Sequence, residues 1–272
     1  MGVSVTRRPS GRPAHGPDPS RPHCRPFRPH PHRRRQSTVP LSVWLTEPLT
    51  GCCPACEGPA DAACANRLPL GLARQVTEAF SAPSDLVYVP EAGNAACLIA
   101  PVQARRKVLA FAPTNPAAAR AYDTLRENAA EVASLAVLRR GAPGSLPSGA
   151  DRAGGRARLA IAAPHHGATP AALAALAESC ARALQPGGIL VTASRQSAGQ
   201  DACGHLVAHA QAAGLAYLQH IAAVEATAAD GRLVPATAAP AQHGPDCACR
   251  HARPGASRHA LIHSDLLVFT KP

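Results

Sequence analysis

A turn between two apolar runs carries the residues with the clearest potential for chemistry. Pro90, Glu91 and Gly93 follow one apolar run, and a second spans residues 107–111. A buried strand, a glycine turn, a helix and a second strand form the unit that holds nucleotide-like cofactors, because the glycine lets the backbone approach the ligand. An acid ending the second strand normally accepts from a ribose hydroxyl, and Ala112 stands there. The turn therefore predicts a cofactor site that lacks one of its usual polar groups.

Two groups of cysteines have a spacing that suits a metal ion. Cys53 and Cys56 form a Cys-x-x-Cys pair, and Cys247 and Cys249 lie in a polar segment near residue 250. A tetrahedral zinc ion takes two thiolates at this spacing from one tight turn. Three interpretations stay open, namely a structural zinc that joins the two groups, unliganded thiols in loops, and a redox pair. The neighbouring candidate donors are Cys52, Cys64, His243 and His251.

The first 40 residues have a composition unlike the rest of the chain. They contain nine Arg, nine Pro and four His against one acid, Asp18, and carry about +8 of the net charge of +11. Such a segment buries too little apolar surface to offset chain entropy, so residues 1–40 are predicted to be a disordered arm. The arm suggests salt-sensitive attraction to DNA or another nucleic acid, and a merely solvated tail is an equal alternative.

The sequence also indicates where the protein acts. No run of 18 apolar residues exists, which predicts no membrane span. Arg7-Arg8 is not followed by an apolar stretch of the kind that a secretion signal needs. Ten cysteines in such a chain favour thiols or metal over a disulfide framework. We therefore expect a cytoplasmic protein.

From residue 41 onward, apolar runs of strand length alternate with segments of helical periodicity. This pattern predicts an α/β domain over residues 41–272, with a mostly parallel sheet covered by helices on both faces. The last two predicted strands have no helix between them, so an antiparallel C-terminal edge is expected. Cys97, Cys180 and Cys203 lie on apolar helix faces and are predicted to be core residues.

Several short motifs occur in a characteristic order. They are Ser42-Val43-Trp44, the turn after Val89, Leu184-Gln185-Pro186-Gly187-Gly188, Asp230 to Val234, and the ending from His259 to Phe269. Together they make residues 42–269 resemble the S-adenosylmethionine-dependent DNA amino-methyltransferases, especially compact actinobacterial members. The resemblance implies a Rossmann-like methyltransferase fold with a seven-stranded sheet.

The resemblance also implies a set of cofactor residues. The family turn is Asp-Pro-x-x-Gly-x-Gly, which Pro90 and Gly93 match, whereas Val89 and Ala95 replace its first and last residues. Glu91 lies within the turn, and Asn115 is the polar residue nearest to the missing acid at the end of the second strand. These residues imply a site for S-adenosylmethionine that has lost two hydrogen-bonding partners.

The catalytic motif of that family is Asp, Asn or Ser followed by Pro-Pro and an aromatic residue at a strand end. The matching segment here is Ala163-Pro164-His165-His166-Gly167. Pro164 is retained, and His165 or His166 could stack on a base or accept a proton, although both also suit a solvated loop. Ala163 cannot accept a hydrogen bond from a target amino group.

Two functional classes follow. One is a divergent or catalytically degenerate DNA methyltransferase, and the other is a non-catalytic scaffold that binds nucleic acid or protein through the retained fold. His263-Ser264-Asp265 contains the residue types of a catalytic triad. Neighbours in a strand point to opposite faces, so no relay is expected among these three.

Overall fold

The computed structural model describes most of the predicted domain. The described residues are 41–47, 68–93, 95–141, 154–164, 168–194, 202–229, 232–235 and 263–272. The predicted arm, the four cysteines proposed as zinc ligands, and His165 and His166 lie outside these ranges, so the predictions made for them stay predictions.

Helices and strands alternate along the described chain. The strands are β1 (Leu41–Thr46), β2 (Leu86–Val89), β3 (Lys107–Ala112), β4 (Ala136–Arg140), β5 (Ala157–Ala162), β6 (Leu184–Ser194), β7 (Ala216–Ala229), β8 (Arg232–Pro235) and β9 (His263–Thr270). The helices are α1 (Leu70–Phe80), α2 (Ala96–Gln103), α3 (Asn115–Ala129), α4 (Pro170–Ala183) and α5 (Ala202–Ala212), with a short 3-10 helix at Ala130–Leu135.

Two of the helices that follow strands, α3 and α4, begin at threonine caps. The Thr114 hydroxyl accepts a hydrogen bond from the Ala117 amide at 3.3 Å, and Thr169 accepts one from Ala172 at 3.2 Å. Each cap is followed by a proline in the first helical turn, where no intrahelical donor is needed. These caps fix the starts of α3 and α4.

The sheet has the order β1-β7-β9-β6-β5-β2-β3-β4, and β8 pairs with β7. It is mostly parallel, and β9 runs antiparallel to both β6 and β7. The predicted fold class is therefore confirmed. The described sheet contains nine strands rather than seven because β1 and β8 extend it beside β7. The antiparallel strand β9 lies between β6 and β7. It is therefore one strand further into the sheet than the edge position that the sequence predicted.

Two apolar cores lie on opposite faces of the sheet. On the first face, α1, α2 and α3 pack against alternate residues of the strands, with Leu72, Leu98 and Leu125 fully buried. On the second face, α4 and α5 pack against the intervening residues. Cys97 is buried in the first core and Cys180 in the second, as the sequence predicts. No helix among the described residues is long and apolar enough to cross a membrane.

Candidate functional site

The candidate site lies where the sheet changes direction. The chain proceeds from β2 outward to β3 and β4, and then returns to β5 on the other side of β2. Ligands of open α/β sheets bind in the crevice at the carboxyl ends of strands at such a point. Tyr88 lies opposite Ala160, so β2 and β5 end at the same height. This register brings Pro90, Glu91 and Gly93 to the same edge of the sheet as Pro164.

The turn after β2 is tied to the neighbouring strand and leaves open space above it. The Ala92 amide donates to the carbonyl oxygen of Phe111 in β3 at 2.6 Å. Gly93 is exposed, and a β-carbon placed on it would meet no atom within 4 Å. The backbone at Gly93 is therefore not covered by other parts of the described chain.

Glu91 is the ionisable residue of this turn. Its side chain is half-buried, and burial raises the pKa of its carboxyl group. Burial also raises the pKa of the Cys180 thiol in α4, and the Glu91 carboxylate raises it further.

The carboxyl end of β3 lacks a free polar side chain among the described residues. Ala112 is fully buried, and its carbonyl oxygen accepts from the Gly141 amide. Thr114 caps α3, and the Asn115 side-chain oxygen accepts from Arg140 at 3.3 Å. Val89, which ends β2, is also fully buried. The side chains present therefore do not provide the carboxylate anchors that the resemblance implies for S-adenosylmethionine.

The substrate side of the crevice is apolar in its described part. Ala163 packs against the first core, and Pro164 is buried at the end of β5. The structure thus brings four of the predicted residues, Pro90, Glu91, Gly93 and Pro164, to one edge of the sheet, and the side-chain oxygen of Asn115 at the start of α3 bonds to Arg140.

Buried polar side chains gather instead at the other half of the same edge, on β6, β7 and β9. Ser194, Glu225 and Asp265 are each less than a tenth exposed. Asp265 contacts His220 and His263 on its own face of the sheet. Sequence reasoning excluded a relay among neighbours, but the i, i+2 spacing of His263 and Asp265 was a usable signal. The sequence contains no comparable signal for His220, because its partner Asp265 lies 45 residues away along the chain.

Two open grooves lie away from this edge. One, of about 580 Å³, runs between β1 and α1 and is lined by Trp44, Gln75 and Glu78. The other, of about 320 Å³, lies between α4 and Lys271. Neither is lined by a predicted site residue. Within the described ranges, no three His, Cys, Asp or Glu side chains are arranged to hold a metal ion.

Comparison with known proteins finds likeness in structure alone. No protein-family profile matches the chain, and no curated protein matches its sequence. The structure of the 4+2 cyclase SpnF superposes with a TM-score of 0.50 at 17% identity, covering 74% of this chain and 80% of that one. Geranyl diphosphate methyltransferase gives 0.49 at 11% identity, covering 74% and 77%. The Burkholderia thailandensis 1,6-didemethyltoxoflavin-N1-methyltransferase gives 0.49 at 13%, also covering 74% and 77%.

The fold is a Rossmann-like α/β fold, which this chain shares with SpnF. The strand order and the antiparallel β9 agree with this assignment. At this level of identity the likeness establishes the fold, and the chemistry must be argued from the side chains of the crevice.

Proposed function

We propose that this chain is a catalytically degenerate relative of the DNA amino-methyltransferases, a cytoplasmic binding protein that retains the fold as a scaffold for nucleic acid. The observation that supports the proposal is the end of β3. Ala112 is fully buried there, and the neighbouring polar groups of Thr114 and Asn115 already bond to the protein. A ligand ribose would find no carboxylate at this position.

The energetic consequence is large compared with a typical cofactor affinity. Each missing hydrogen-bond acceptor weakens binding by about 1–3 kcal/mol, and Val89 and Ala112 represent two such losses. Because about 1.4 kcal/mol corresponds to a factor of ten, S-adenosylmethionine is expected to bind at least about 30-fold more weakly than with both acceptors present.

Calorimetric titration with S-adenosylmethionine tests the proposal. No heat of binding at about millimolar cofactor is the expected result, and a Kd below about 100 μM contradicts it. S-adenosylhomocysteine provides a matched ligand, since it lacks only the transferred methyl group and its charge. If neither ligand gives a heat of binding, the result supports a crevice that no longer binds the cofactor.

The basic arm supplies the proposed contact with nucleic acid. Its charge of about +8 predicts phosphate contacts whose strength falls steeply with salt. DNA binding by the full chain and by a variant lacking residues 1–40 should be compared at two salt concentrations. The arm's role is rejected if removal leaves both the affinity and the salt dependence unchanged.

A second candidate, a divergent methyltransferase, is favoured by Glu91. This carboxyl group is half-buried beside the open space at Gly93, and no described residue bonds to it. In this alternative Glu91 replaces the missing acids as acceptor for a cofactor hydroxyl or ammonium group. Measurable S-adenosylmethionine binding that Glu91→Gln weakens at least about tenfold, with Glu78→Gln as an exposed control, selects this alternative.

A further inference from the structure

A buried carboxylate on β9 lies between two histidines. Asp265 is 3% exposed, and its Oδ1 atom lies 2.7 Å from Nε2 of His220 and 3.8 Å from Nε2 of His263. His263 precedes Asp265 by two residues, whereas His220 lies opposite Leu267, two residues beyond it. The imidazoles therefore approach the carboxylate from opposite directions along the sheet, which suits hydrogen bonding rather than shared coordination of one metal.

The hydrogen bond fixes the proton of His220. An ionised carboxylate only accepts, so Nε2 of His220 must donate to it. In the neutral ring this leaves Nδ1 with a lone pair, and no described residue bonds to that atom. The His220 side chain is 31% exposed, so a ligand can reach it. A histidine oriented by a buried acid is the arrangement that makes an imidazole an effective proton acceptor.

One oxygen atom of the Asp265 carboxylate accepts no hydrogen bond from the described residues. Its Oδ2 atom is buried and has no hydrogen-bond partner, and the same is true of the hydroxyl of Thr192 on the neighbouring strand. Tyr217 is influenced by the same carboxylate. Burial is the main cause that raises the pKa of the Tyr217 hydroxyl, and Cys203 and Asp265 raise it further. Through its Oδ1 atom, Asp265 therefore holds the His220 ring in one orientation.

The surface beside His220 is apolar and open. Leu41 of β1 lies opposite His220, and Val43 lies opposite Ala222. Leu41 is 65% exposed and Val43 is 60% exposed. Asp265 in β9 lies opposite Ser194 at the end of β6, and β5, which leads to Pro164, is the next strand beyond β6. Asp265 is therefore two strand spacings, or roughly 10 Å, from the strand that leads to Pro164.

We propose that His220, oriented by Asp265, is the proton acceptor of a binding site for an apolar molecule that carries a phenol group. The apolar part would lie on Leu41 and Val43. In the proton transfer the ligand O–H bond breaks, Nδ1 of His220 gains the proton, and the electron pair stays on the ligand oxygen. Asp265 stabilises the resulting imidazolium. The site uses no residue of the cofactor crevice, so this proposal can be tested independently of the proposed function.

4-Nitrophenol tests the site directly, because its phenolate absorbs at a longer wavelength than the phenol. Titrating the full chain into 4-nitrophenol at a pH where the free phenol is mostly protonated should produce a saturable rise in phenolate absorbance. His220→Gln should weaken this response at least about tenfold. His209→Gln, on α5, is the matched control and should leave it unchanged. A wild-type protein that gives no saturable response overturns the proposal.

Two further variants separate orientation from simple binding. Asp265→Asn can donate to Nε2 and so move the ring proton to Nδ1, which ¹⁵N NMR of the imidazole detects and which should abolish the phenolate signal. Leu41→Ser should weaken binding but leave the phenolate yield at saturation unchanged. Equal responses from wild type and His220→Gln refute the assignment even if Asp265→Asn does not fold, because His220 is partly exposed and its replacement is compatible with the fold.

Discussion

The buried pair Tyr88 and Ser179 gives the sharpest test of how the crevice is held. Tyr88 lies in β2 directly before the turn, and its hydroxyl bonds to that of Ser179 in α4. Both side chains are fully buried. The pair therefore joins the strand that carries Pro90, Glu91 and Gly93 to the helix that covers the second core.

Tyr88→Phe should destabilise the domain by about 1–3 kcal/mol. The change removes one hydrogen bond and leaves the Ser179 hydroxyl buried without its partner, and the orphaned group costs more than the bond itself contributes. For a domain of this size, about 2 kcal/mol corresponds to a fall in Tm of about 4–8 °C. Ser179→Ala should have a similar effect, because it orphans the tyrosine hydroxyl.

The double variant carries the decisive information. Tyr88→Phe combined with Ser179→Ala removes both polar groups, so it should cost less than the sum of the single changes by about 1–2 kcal/mol. Urea unfolding of the four proteins, followed by circular dichroism, measures this coupling. Additive single and double effects would refute the hydrogen bond as the source of stability.

The same tyrosine predicts a loss of stability in alkali. Burial raises the pKa of Tyr88 from the ordinary 10.0 to about 12, with Ser179 opposing the shift. Below pH 10 both states keep the proton, so the contribution is intact. Above pH 10 the unfolded chain ionises first, and stability falls until about pH 12, by up to about 3 kcal/mol. Tyr88→Phe should lack this component of the pH dependence.

Three other changes follow from the packing. Lys271→Met should cost about 1–3 kcal/mol, because the Lys271 ammonium donates to the carbonyls of Ala181 and Leu184 at the end of α4, each at 2.7 Å; thermal melting measures the loss. Gly188→Ala should lower the urea midpoint, because its β-carbon would lie 2.8 Å from the Gln185 carbonyl oxygen, whereas Gly93→Ala has open space and should change little. Burial raises the pKa of Cys97 from 9.0 to about 12, so Cys97→Ala should reduce the stability lost between those pH values; an unchanged alkaline profile would count against it.

Local periodicity predicted most elements because it reflects which side chains face the core. The apolar run at residues 107–111 forms nearly all of β3, which spans Lys107–Ala112. The first part of β6 contains Gly187-Gly188, a pair that by sequence alone indicates a turn. In the structure, the Gly187 amide bonds to the Lys271 carbonyl and the Lys271 amide to the Gly188 carbonyl, so tertiary pairing keeps this stretch in the sheet.

The site was predictable only where its residues are neighbours in sequence. The turn at Pro90 and the apolar end of β5 at Pro164 followed from local patterns. The contact between His220 and Asp265 depends on β9 lying beside β7, and on the irregular register near Leu218 that sets which face His220 occupies. A single sequence contains no local signal for such a pairing.

The position of β9 also constrains how the chain folds. It is the last strand that the structure describes, yet it fills the gap between β6 and β7 with hydrogen bonds on both sides. A ribosome exposes β6 some 70 residues before β9 emerges, so both flanking strands wait with open edges on which another chain can pair. Non-local pairing of this kind slows folding, and we expect the slow kinetic step to be the insertion of β9 rather than assembly of β2 and β3. Protection of newly made chains by a chaperone should therefore matter most during that interval.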